Sequence, residues 1–193
     1  MKRVMGLIIG LALLLGMVSI AQAAGTQDIA VKVTVTAELS VAVDRNEYNF
    51  GAQNTSITTV STQAITVTND STSAQESYKL NGTNTSPSNW TLASAPTVNT
   101  FELRAVFDGT SDSDQPAQGD FHDSDDDLAT GSPVYCTADK FAVTASPEAQ
   151  KGINVATSGV RYLWFLMKTP TSISVGSGTE QTSTVTITAA YPQ

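Results

Sequence analysis

The chain has 193 residues, and its 18 Asp and Glu against 10 Lys and Arg give a net charge of −8. This charge disfavours partners such as nucleic acid and anionic lipid, and is better suited to cations or basic polymers. Cys136 is the single cysteine, which excludes an intramolecular disulfide, and we interpret it as a buried thiol that packs as a small hydrophobic group.

Residues 1–23 have the pattern of a secretory signal peptide. Lys2 and Arg3 precede a largely apolar, uncharged run over residues 4–20, and Ala21-Gln22-Ala23 has the small residues of a cleavage site. We predict cleavage after Ala23 and an extracellular or cell-surface location, with the periplasm as an alternative. The other interpretation is an uncleaved N-terminal anchor. No later apolar run approaches the ~18 residues of a membrane span, so we predict no span in the mature chain.

The first strand signal begins directly after the predicted cleavage site. Apolar residues occupy alternate positions from residue 29 to 43, beginning with Ile29, Val31, Val33 and Val35, and mostly polar residues lie between them. This alternation predicts a strand with one buried face. A strand of that length would extend over about 50 Å, well beyond an ordinary strand. We expect it to bend into two strands, or its first part to be used outside the domain's own sheet.

Later segments alternate in the same way. They lie within residues 64–70, 76–82, 101–107 and 184–191. Residues 160–168 are apolar at both parities, which predicts a strand covered on both faces, or a central strand with a covering loop. Turn residues separate these segments. We therefore predict an all-β fold over residues 24–193: a single antiparallel β-sandwich of immunoglobulin-like or jelly-roll type, with about eight or nine strands.

An acidic loop is predicted at residues 108–127, which contain eight aspartates and no Lys or Arg. Asp123, Asp125 and Asp127 alternate in the way that oxygen ligands wrap around Ca²⁺, and they are the candidate metal ligands. The EF-hand pattern is not met, since Leu128 stands where the turn glycine belongs. The alternative is a solvated loop kept open by repulsion between its charges.

Catalytic motifs are missing from the sequence. There is no nucleophile-elbow motif and no phosphate-binding glycine loop, and His122 is the single histidine, so a multi-histidine metal centre is excluded. The six glutamates are scattered, and none is marked out as part of a catalytic carboxylate pair. We predict that the chain is not an enzyme and needs no cofactor apart from the Ca²⁺ considered above.

Both tryptophans occur in the same short motif, because Trp90 and Trp164 each begin a Trp-x-Leu triplet. With Phe50-Gly51 before the first triplet and Thr169-Pro170 after the second, this order resembles the WxL cell-surface domain. The resemblance implies a β-sandwich attached non-covalently to the cell wall, with peptidoglycan or another wall polysaccharide as partner. The alternative is that both tryptophans are core anchors of a sandwich.

The N-terminal segment is similar to that of secreted β-sandwich fibre subunits of the camelysin/TasA kind and of pilins. This resemblance implies that Ile29, Val31, Val33 and Val35 insert into the sheet of a second copy of the chain by β-augmentation. The alternative is an ordinary first strand of the domain's own sheet.

These observations favour an exported, non-catalytic bacterial protein of the cell surface or extracellular space, either wall-associated or assembled into a fibre or coat. The alternative is a secreted polysaccharide-binding module, with or without a dependence on Ca²⁺.

Overall fold

The structure is a computed structural model that describes residues 32–33 and 38–193. Residues 36–193 form one compact unit, and it is the fold of this unit that follows. Residues 1–35 form a second unit, of which Lys32 and Val33 are described. The predicted signal peptide lies outside the described residues, as do Ile29, Val31 and Val35.

Nine strands are found in the part of the chain that the structure describes. They are β1 (Val41–Val43), β2 (Thr58–Val60), β3 (Ile65–Asn69), β4 (Ser77–Gly82), β5 (Thr91–Leu92), β6 (Thr100–Phe107), β7 (Val134–Tyr135), β8 (Val160–Lys168) and β9 (Val185–Ala190). Two short 3-10 helices, Gln118–Asp120 and Glu148–Gln150, lie in the long connection between β6 and β8. No helix among these residues is long and apolar enough to cross a membrane.

The strands form two sheets. The larger sheet has the order β1-β3-β8-β6-β5, and β2 also pairs with β8; the smaller sheet has the order β7-β4-β9. β2 and β3 lie end to end along one edge of β8. Between them, the Ser61 N–H donates a hydrogen bond to the Phe165 carbonyl, and the Ser61 hydroxyl accepts one from the Phe165 N–H. The pairs are antiparallel except the two-residue pair of β5 with β6. The prediction of an all-β sandwich with about eight or nine strands is confirmed.

The central strand β8 is covered on both faces, as its sequence predicted. Its inner side chains, including Leu163 and Phe165, pack in one hydrophobic core with Tyr78 and Leu80 of β4 in the smaller sheet. Its outer side chains Trp164 and Leu166 pack in a second core with Ala64, Val106 and Phe121. Phe121 belongs to the acidic loop, so this loop covers the outer face of the larger sheet.

Candidate functional site

A groove of about 1440 Å³ lies along the inner face of the larger sheet, where the two sheets are not in full contact. Apolar side chains of the larger sheet and of β9 line it, namely Val41, Val43, Ile65, Phe101, Leu103, Leu163, Phe165, Met167, Val185 and Ile187. Two loop segments, residues 45–55 and 176–184, form its polar rim. At this volume the groove is larger than the ~300–1000 Å³ of a typical small-molecule site.

Two strands that border the groove, β9 and β1, each have one edge with which no described strand pairs. β9 pairs with β4 and β1 pairs with β3, and neither has a second strand partner among the described residues. A free edge presents unpaired backbone N–H and C=O groups, which can pair with another extended chain. The site therefore combines an apolar surface with backbone groups that are ready to form hydrogen bonds.

Three aromatic side chains lie at the rim of the groove. The rings of Tyr48 and Phe50 meet edge to face with their centroids 4.9 Å apart, and the Tyr48 hydroxyl accepts a 2.7 Å bond from the Thr62 N–H. Trp90 is half-buried, and its Nε1 donates a 3.4 Å bond to the carbonyl of Val175. Each ring is therefore held in place at the rim while part of it faces the groove.

The two Trp-x-Leu motifs lie in different environments. Trp90 packs against the core between the sheets and lines the groove. Trp164 has no exposed surface, lies in the outer core, and donates from Nε1 to the carbonyl of Asp108 over 3.1 Å. The structure does not bring the two residues together, and Trp164 is a core anchor of the outer face.

Two of the three candidate calcium ligands contact a cation of the chain itself. The Arg104 guanidinium on β6 contacts the carboxylates of Asp123 and Glu102, and its Nε lies 2.9 Å from the Asp127 carboxylate. Lys168 on β8 lies 3.0 Å from Glu102. Arg104 also donates to the carbonyl of Phe121 over 2.6 Å. This charge cluster (Glu102, Arg104, Asp123, Asp127 and Lys168) attaches the acidic loop to the sheet.

Asp125, the third candidate ligand, takes no part in the charge cluster. It is half-buried, and its backbone carbonyl accepts bonds from the Lys140 ammonium (3.0 Å) and the Phe141 N–H (3.3 Å). In residues 32–33 and 38–193 no group of three or more His, Cys, Asp or Glu side chains has an arrangement that could hold a metal ion. Calcium binding by Asp123, Asp125 and Asp127 stays a prediction.

Sequence reasoning missed Arg104, Glu102 and Lys168 as partners of the acidic loop. A signal was present, since Glu102 and Arg104 alternate with apolar residues in the strand "TFELRAVF" and therefore lie on one face of it. Both side chains are buried, and a buried charge in a strand requires a partner of opposite charge. The acidic loop is the nearest source of further carboxylates in the sequence.

Burial shifts the pKa of several groups in this region. Burial raises the pKa of Asp127 to about 6, although Arg104 acts in the opposite direction, and burial likewise raises the pKa of Asp126 to about 6. For Arg104, burial lowers the pKa, but Glu102, Asp127 and Asp123 together outweigh it and leave the pKa raised. The Cys136 thiol is buried, as predicted, and this burial raises its pKa.

Comparison of the chain with known protein families, with characterised proteins and with solved structures finds no match.

Proposed function

We propose that this chain is an exported, non-catalytic structural protein of the bacterial cell surface or extracellular space that assembles with copies of itself. The single observation that supports this proposal best is the groove, which has an apolar lining and free strand edges beside it. Such a groove is suited to binding an extended polypeptide, because the backbone of the added strand gains hydrogen bonds while its alternate side chains leave water.

The N-terminal segment of a second copy has the side-chain pattern that this groove requires. Ile29, Val31, Val33 and Val35 would face the apolar lining, while Lys32 and Thr34 would face solvent. Val33, the one member of the apolar set that the structure describes, is 82% exposed. An exposed valine of this kind becomes buried when the strand enters a groove, which favours association.

Deletion of residues 26–35 tests the proposal, with particle size measured by light scattering and electron microscopy. We expect the deleted chain to remain folded and monomeric under conditions in which the mature chain forms larger species. A matched pair refines the test: Val33→Asp should prevent assembly, whereas Thr34→Asp, which adds the same charge on the opposite side of the strand, should preserve it. Unchanged assembly after the deletion would contradict the proposal.

A second candidate function is binding of a cell-wall polysaccharide, and the aromatic rim of the groove favours it. Tyr48, Phe50 and Trp90 offer ring surfaces to the groove, and the rim segments are rich in Thr, Ser, Asn and Gln, whose side chains can bond sugar hydroxyls. This interpretation accords with the wall association that the Trp-x-Leu resemblance implies.

Co-sedimentation with isolated peptidoglycan separates the two candidates. A wall-binding protein should pellet with the polymer even when residues 26–35 are deleted, and Tyr48→Ala should weaken the binding. Addition of Ca²⁺ or a chelator to the same assay tests the calcium prediction made for Asp123, Asp125 and Asp127. Loss of pelleting on deletion of residues 26–35 alone would instead favour assembly.

A further inference from the structure

One carboxyl group is enclosed beside the residues that lead into β1. Glu76 lies directly before β4 and has no exposed surface. Its backbone N–H and C=O both pair with Val155, at 2.9 and 2.7 Å, so the residue is fixed to the loop that precedes β8. With the backbone held in this way, the side chain reaches water only if a neighbouring segment moves away.

Ser40 connects the start of β1 to this carboxyl group. Its N–H donates a 2.7 Å hydrogen bond to one carboxylate oxygen of Glu76, and its carbonyl accepts a 2.8 Å bond from the N–H of Asp70. Asp70 directly follows β3 of the larger sheet, whereas Glu76 directly precedes β4 of the smaller sheet. Ser40 is therefore bonded to both sheets, one residue before β1 begins.

The enclosed carboxyl group lacks a cation. Within the described part of the chain Glu76 forms no ion pair, and its second carboxylate oxygen is buried without a hydrogen-bond partner. As an anion, the group has lost its water and gained a single hydrogen bond, which is an unfavourable exchange. Burial of the neutral acid costs much less free energy.

The surrounding side chains do not offset this cost. The titratable or charged groups on the segments packed around Glu76 are those of Glu38, Asp70, Tyr78, Glu148, Lys151 and Arg161. Three of them are acids, and Tyr78 is a buried neutral phenol. The two cations are directed elsewhere, because the Lys151 ammonium and the Arg161 guanidinium donate to backbone carbonyls.

We propose that Glu76 is a pH-sensitive latch for residues 38–43, which holds them on the domain more firmly in acidic than in neutral solution. Its basis is a fully enclosed carboxyl group that has no cation and is bonded to Ser40. Since β1 has only three residues and pairs with β3, the bonds of Ser40 are a large part of what attaches this segment. The inference goes beyond the proposed assembly function and holds whether or not the chain assembles.

The direction of the effect follows from linkage. With residues 38–43 attached, burial raises the pKa of Glu76; the hydrogen bond from Ser40 partly opposes this, and the negative charge of Asp70 adds to it. With the segment detached, the carboxyl group is hydrated and returns to its ordinary pKa of about 4.3. Protons therefore bind the attached form more strongly. Attachment is most stable below about pH 4.3 and loses that stability as the pH rises through the raised pKa.

A spin label at residue 38 reports on the latch. Glu38→Cys places the label on an exposed residue of the attached segment, and Cys136 can stay in place because it is buried. In the mature chain we expect the electron paramagnetic resonance spectrum to show a larger mobile fraction at about pH 7.5 than at about pH 4.5. Equal mobile fractions at the two pH values would overturn the proposal.

Glu76→Gln separates the latch from other effects of pH. The amide keeps an oxygen that can accept the Ser40 bond but cannot ionise, so the label should stay immobile at both pH values and the pH dependence should be lost. Glu148→Gln is the matched control, because this exposed acid accepts a bond from Asn154, next to Val155, and it should retain the pH dependence. A pH dependence that persists undiminished in Glu76→Gln would contradict the assignment.

Discussion

The two faces of the larger sheet are covered in different ways. The outer face is covered by the chain's own acidic loop, which contributes Phe121 to an apolar core and Asp123 and Asp127 to a charge cluster. The inner face is covered by a smaller sheet, and a groove of about 1440 Å³ stays open beside it. The acidic loop thus covers apolar surface on the outer face, whereas on the inner face part of the apolar surface lines an open groove.

The width of the sheets explains this difference. The larger sheet is five strands wide, because β2 and β3 share one edge of β8, and the smaller sheet is three strands wide. At about 4.8 Å between strands, the difference in width is roughly 10 Å, which is the space of about two strands.

The largest effect on the covered face is expected from Arg104→Ala. Removal of the guanidinium leaves the buried Glu102 carboxylate with Lys168 as its remaining cation, and such a loss typically costs about 3–5 kcal/mol of unfolding free energy. Urea denaturation measures this loss of unfolding free energy. The control is Arg45→Ala, whose ion pairs with Asp44 and Asp112 are partly exposed and contribute about 1 kcal/mol or less. Similar losses in the two variants would contradict a buried charge cluster.

The tryptophans provide a direct comparison of the two faces. Trp164→Ala should lower the unfolding free energy by about 3–5 kcal/mol, because the ring is fully enclosed and its removal leaves a cavity. Trp90→Ala should cost less, about 1–2 kcal/mol, since this ring already faces the open groove. Thermal or urea unfolding of both variants gives the difference in unfolding free energy. A larger loss of unfolding free energy in Trp90→Ala than in Trp164→Ala would contradict our assignment of the covered and open faces.

A charge placed in the groove should affect assembly more than stability. In Ile187→Lys the long side chain can keep its methylene groups on the apolar surface while its ammonium reaches water, so we expect a cost of about 1 kcal/mol. Assembly, measured by light scattering, should be lost because an entering strand would have to bury that charge. Thr188→Lys, at a position of β9 that does not line the groove, is the control and should assemble normally.

Calcium is expected to have the smallest effect. A Ca²⁺ ion at Asp123 and Asp127 would have to displace Arg104, which already contacts both carboxylates. We therefore expect about 2 mM Ca²⁺ to raise the melting temperature by no more than about 1 °C relative to chelator. A rise of several degrees that Asp125→Asn removes would instead show that the three aspartates act together as a metal site.

Much of the fold could be predicted from the local sequence pattern, because the alternation of apolar and polar residues indicates which face of a strand is buried. In residues 160–168 apolar residues occupy both odd and even positions, which predicted a strand buried on both faces, and β8 is buried in this way. The ion pairs of Arg104 could not be predicted in the same way, since they join β6 to residues that come near only when the loop folds back. Likewise, the two Trp-x-Leu motifs lie in different environments, because Trp164 points outward from within β8, whereas Trp90 lies just before β5 and packs against the core between the sheets.

Cross-linking tests our proposal that the N-terminal strand of one copy enters the groove of another. One chain carries Val33→Cys and a second carries Ile187→Cys or Val185→Cys, all with Cys136→Ser, and the two are refolded together and oxidised. A disulfide requires Cα atoms within about 7 Å, so it reports insertion and not mere proximity. We predict covalent dimers from Val33→Cys and few from Lys32→Cys on the opposite side of the strand. Absence of dimers at both groove positions, or equal yields from residues 32 and 33, would contradict the claim.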